Sequence, residues 1–68
     1  MKLKQGYLYT VPNSTYNVYV KKLQHVSDTY TKAKIEFVSK SKWWKVYCTF
    51  NAKLLHNAIT HWEIVDDN

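Results

Sequence analysis

The chain has 68 residues with one cysteine, one glycine and one proline, so it holds at most one domain and no internal disulfide. Ten lysines and no arginine stand against five acids, for a net charge of +5. A lone glycine excludes a glycine-rich phosphate loop, and no apolar run approaches the roughly 20 residues of a membrane-spanning helix.

A chain this short buries only about 60% of its unfolded surface, so its core must be dense. Three Trp, six Tyr and two Phe supply large buried areas per residue. The N-terminal residues have no apolar run of signal-peptide length, and the single cysteine suits a reducing compartment. A soluble, cytoplasmic protein without a membrane partner is expected. The acids Glu63, Asp66 and Asp67 lie in the last six residues. Residues 1–62 therefore carry ten lysines against Asp28 and Glu36, a formal +8. A basic body with an acidic tail points to polyanionic or acidic partners.

The first predicted strand covers residues 6–11, GYLYTV, and ends at the turn-forming PNST. The second covers 16–26, YNVYVKKLQHV. Tyr16, Val18 and Val20 share one face, the alternation slips at Lys21 and Lys22, and Leu23 returns one step out of phase. Such a slip predicts a β-bulge or sharp bend. SDT at 27–29 reads as a turn. The third strand, 30–39, places Thr31, Ala33, Ile35 and Phe37 inward, with Lys32, Lys34 and Glu36 outward. SKSK at 39–42 marks the next turn.

The fourth strand, 43–50, opens with two tryptophans, which alternation sends to opposite faces. Its apolar phase places Trp44, Val46, Cys48 and Phe50 inward, and Trp43, Lys45, Tyr47 and Thr49 outward. NAKLLHNA at 51–58 breaks the strand pattern. Asn51 can cap a helix, and Leu54, Leu55, Ala58 and Ile59 recur at helical spacing. A helix of about two turns, or a single 3₁₀ turn, is expected there. The last strand covers 61–65, HWEIV, with Trp62 and Ile64 inward.

The expected class is mainly β, a five-stranded small barrel over residues 1–68 with a short helix or 3₁₀ turn before the last strand and frayed ends at 1–4 and 66–68. GYLYTVP, YNVYVKKL, KAKIEFV, WKVYCTF and HWEIVDD, in that order, resemble an SH3-like barrel across nearly the whole chain. VPNST carries no acids, unlike the acidic RT loop of eukaryotic peptide-binding SH3 domains, so a proline-rich peptide is not the expected ligand. The lysine-, asparagine- and tyrosine-rich, arginine-free composition resembles that of small phage proteins from AT-rich genomes.

The predicted outer face combines Tyr19, Lys21, Lys32, Lys34, Trp43, Lys45 and Tyr47. Bases stack on aromatic rings for about 1–3 kcal/mol each while ammonium groups neutralise phosphates, so the expected ligand is DNA or RNA. Without arginine, bidentate guanine recognition is unavailable, and weak sequence preference follows. The same aromatics could instead anchor a protein interface, making the chain an adaptor or an inhibitor of a host enzyme. Burial of Trp43 in a homodimer is a third reading, and lysines among aromatics also serve solubility alone.

No cofactor or catalytic site is expected. His25, His56 and His61 lack metal-ligand spacing, and one cysteine cannot complete a zinc pattern. Cys48, with its inward phase, is expected to be an inert core thiol. Asp66 and Asp67 sit at the chain end, and Glu36 lies among lysines as an ion-pair partner.

Overall fold

The computed structural model describes residues 3–25, 27–41 and 45–65, with the backbone alone at His25 and Tyr47. The expected orientations of Trp43 and Trp44, and the expected frayed residues 1–2 and 66–68, lie outside the described residues.

The strands are β1 (Leu8–Thr10), β2 (Tyr16–His25), β3 (Tyr30–Ser39), β4 (Val46–Leu55) and β5 (Glu63–Ile64), with helix α1 (His56–Ile59) before the last. They form one antiparallel sheet in the order β4-β3-β2-β1-β5. Consecutive hairpins build β2, β3 and β4, and α1 turns the chain back so that β5 pairs with β1.

Local chemistry sets the turns. Asn13 adopts φ 60, a left-handed conformation that asparagine tolerates better than most residues. Beside it, the Ser14 hydroxyl lies 2.8 Å from the Val11 carbonyl and 2.9 Å from that of Tyr16. The Ser27 hydroxyl accepts from the Thr29 and Tyr30 amides at 3.2 and 3.3 Å, closing the β2–β3 connection. Gly6, at φ +86, sets the entry to β1, and its amide donates to the Val20 carbonyl at 2.7 Å.

The slip foreseen at Lys21 and Lys22 is a bulge. Val20 pairs with Ile35 and Lys22 with Lys34, leaving Lys21 as the extra residue. Leu23 thereby returns to the apolar face opposite Ala33. The Leu23 amide donates to Gln5 Oε1 at 3.2 Å, giving the disturbed ladder a side-chain acceptor. A second shift, between Phe37 and Val38, makes Tyr47 the extra residue on β4.

The core centres on Val18, Ala33 and Ile35, with Val11, Leu23, Phe37, Ala52, Leu54 and Trp62 packed against them. Phe37 lies between two rings, 4.5 Å from Tyr16 and 5.0 Å from Phe50 between centroids. Tyr9 is fully buried, and its hydroxyl accepts from the Lys4 amide at 2.7 Å.

The mainly-β class, the five strands and the short helix before the last strand are as expected. The sheet, however, does not close into a barrel: β4 and β5 are its two edges among the described residues. The expected helix at 51–58 shrinks to His56–Ile59, because Asn51–Leu55 continue β4 opposite Tyr30–Lys34. Asn51 is thus not a cap; Leu55 takes that position without a side-chain hydrogen bond. β3 offers ten residues of ladder, and pairing along it overrides the weak helical signal.

Openness also corrects the burial expected of β4 and β5. Phe50 and Cys48 have the inward phase, lying opposite Ile35 and Phe37, yet both are exposed because nothing among the described residues covers this edge. Val46 loses the inward phase itself: the shift at Tyr47 sets it opposite Val38, in the phase of Glu36 rather than of Phe37, and it is exposed. Trp62 packs on the core, while Ile64, on a two-residue edge strand, is 46% exposed.

Candidate functional site

Residues directly opposed across an antiparallel ladder project from the same face. On the outer face, away from Val18, Ala33 and Ile35, the register aligns four rows across β2, β3 and β4. They are Asn17–Val38–Val46, Tyr19–Glu36–Thr49, Lys22–Lys34–Asn51 and Gln24–Lys32–Lys53. The last two rows line an open groove of about 570 Å³, with Ala33 and Ala52 between them. Among the described residues that line it, four are lysines and none is acidic.

The lysines meet head-on. Lys22 opposes Lys34, and Lys32 opposes Lys53. Like charges in directly opposed positions destabilise a sheet, so the rows concentrate positive potential against local stability. The carboxylate of Glu36 lies outside the groove lining and is already engaged. Lys21 Nζ approaches it at 3.7 Å, and the Thr49 hydroxyl donates to it at 3.2 Å. Both ion-pair partners are partly exposed, so this contact contributes little stability but screens the one acid that the described residues place on the face.

Rings flank the lysine rows. Tyr19 stands in the Glu36 row and is half-buried. At the other end, Lys53 Nζ sits over the Tyr30 ring, 4.2 Å from its centroid, a cation–π contact. The order along the sheet is therefore ring, two lysine rows, ring.

Of the expected site residues, the structure brings Tyr19, Lys32 and Lys34 onto one face. Lys21 lies in the bulge and turns its ammonium to Glu36. Lys45 is exposed just before β4, and its carbonyl accepts from the Ser39 amide at 2.8 Å. Trp43 and the Tyr47 side chain lie outside the described part of the chain.

Lys22, Tyr30, Asn51 and Lys53 join the face without having been expected there. The bulge swaps Lys22 for Lys21 in the ladder. Lys53 and Asn51 were hidden by the helical reading of 51–58. The signal that finds them is the apolar alternation Val46, Cys48, Phe50, Ala52, Leu54, which runs unbroken through that segment.

The histidines do not converge. His56 Nδ1 donates to the Asp28 carbonyl at 2.8 Å, and Nε2 lies 2.9 Å from the Thr31 hydroxyl. Its ring ties α1 to the β2–β3 connection, a structural role. Among the described residues no group of three His, Cys, Asp or Glu side chains gathers to hold a metal. No described helix is long and apolar enough to cross a membrane. No protein-family model, curated protein or solved structure matches the chain.

Proposed function

We propose that the chain is a non-catalytic nucleic-acid-binding module of weak sequence preference, acting in the cytoplasm through the outer face of its sheet. The observation that carries this reading is the groove between two lysine rows, with no acid among its described lining residues and flanked by Tyr19 and Tyr30. Lysines neutralise phosphates and rings stack bases, with Lys21, Trp43, Lys45 and Tyr47 as further contacts outside the groove. Weak sequence preference follows from the absence of arginine. The strand order, with β5 beside β1 and a short helix before it, supports an opened SH3-like architecture.

Fluorescence anisotropy of labelled single- and double-stranded oligonucleotides tests the proposal. Micromolar binding that weakens steeply between low and moderate salt is expected. No binding at low salt removes nucleic acid as the ligand.

A second reading has its own support in β4. This ten-residue edge exposes Val46, Phe50 and Leu55, and Lys53 is its one charged residue. An adaptor or inhibitor would use such an edge against a host protein, in line with the phage-like composition. An aromatic-centred protein interface depends on salt less than phosphate contacts do, so lysate capture with and without nuclease, repeated across salt, separates the two.

A further inference from the structure

We infer that the groove seats two successive phosphates of one unpaired strand, the first between Lys22 and Lys34 and the second between Lys32 and Lys53. The inference rests on the nucleic-acid reading above and specifies the form of the ligand.

The first argument is electrostatic. Two directly opposed lysine pairs stand side by side in the ladder, and no carboxylate among the described residues lines the space between them. A surface selected only for solubility intersperses the two signs. Here Glu36, the nearest acid on the face, is taken by Lys21 and lies beyond the groove. Two anions, one per pair, remove both repulsions at once.

The second argument is spacing. Lys32 and Lys34 are two residues apart on β3, a step of about 6.7 Å, and the pairs Lys22–Lys34 and Lys32–Lys53 lie on opposite sides of β3, which adds a sideways offset of about 4.8 Å. The two sites are therefore about 8 Å apart on the diagonal, a little beyond the separation of successive phosphates along an extended strand. The flexible four-carbon lysine stems take up that difference, so both pairs engage neighbouring phosphates.

The third argument selects the unpaired form. Tyr30 and Glu36, whose row contains Tyr19, are six residues apart on β3, or about 20 Å. Rings at both ends of the phosphate track offer faces to bases, and only unpaired bases can take them. When a phosphate draws Lys53 toward Lys32, the Tyr30 ring loses the ammonium that covers it and becomes free to stack. A footprint of about three or four nucleotides follows from this length.

The test combines a graded length series of oligothymidine, a matched duplex and three variants, Lys22→Gln, Lys53→Gln and Lys4→Gln, with circular dichroism confirming that each keeps its sheet. Binding of the unpaired strand about tenfold tighter than duplex is expected, with affinity rising steeply up to about four nucleotides and slowly beyond. Lys22→Gln and Lys53→Gln each lower the slope of log affinity against log salt by about 0.7, while Lys4→Gln leaves it unchanged. Unpaired strand binding with a slope that neither groove variant moves overturns the groove and leaves the nucleic-acid reading standing. Equal or tighter binding of duplex overturns the selection for an unpaired strand. Binding of neither form overturns both readings.

Discussion

Cys48 has the alternation phase of a core residue and the exposure of a surface one. Its partner Phe37 is half-buried between Tyr16 and Phe50, but no further strand among the described residues covers Cys48 from the other side. The thiol of the native protein should therefore react with an aromatic disulfide reagent, one equivalent per chain, without denaturant. A thiol that titrates only after unfolding would restore the core assignment. Along β4, phase was legible from Cys48 onward, past the shift at Tyr47, while burial was not. Alternation is local, and Leu23 shows it surviving even a bulge, because each step is set by the pleat. Burial depends on which strands lie next to one another, and that information sits elsewhere in the chain.

At the scale of elements, the β2–β3–β4 ladder carries an internal conflict that mutation should relieve. Lys22→Gln removes one opposed lysine pair and Lys53→Gln the other. Each is expected to stabilise the fold by about 0.2–1 kcal/mol, measured by urea unfolding at low salt. The gain should shrink as salt screens the remaining charges. Destabilisation by either variant would mean that the aliphatic stems, or for Lys53 the cation–π contact with Tyr30, outweigh the repulsion. The existence of all five strands could be read from turn residues and β-branched or aromatic runs. The extent of β4 could not, because Asn51 and the spacing of Leu54, Leu55, Ala58 and Ile59 imitate a capped helix. In a segment so short, the ladder offered by β3 decides.

For the whole molecule, salt should act in opposite directions on folding and on binding. Residues 1–62 carry a formal +8, and four lysines crowd one groove. Self-repulsion destabilises the compact state, so the thermal midpoint should rise from low salt to about 0.15 M. Nucleic-acid affinity should fall over the same interval. A midpoint that falls with salt would show that attractive pairs such as Lys21–Glu36 outweigh the repulsion. The basic character of the molecule was legible from composition, but its concentration into one groove was not. That concentration comes from the bulge at Lys21 and from the continuation of β4, each of which moves one lysine into register.

The pairing of β1 with β5 joins the most distant parts of the chain through the smallest contact. Among the described residues, Tyr9 with Ile64 and Thr10 with Glu63 are the pairs in register, with one further bond from the Val65 amide to the Leu8 carbonyl. The β2–β3–β4 hairpins join near neighbours through ladders many residues long. Closing a loop of some fifty residues costs more entropy than closing a hairpin, so this meander is set to form first and β5 to dock last. The molecule folds as a zipper finished by a latch. The latch is also where amide hydrogens exchange soonest and where the native state first opens.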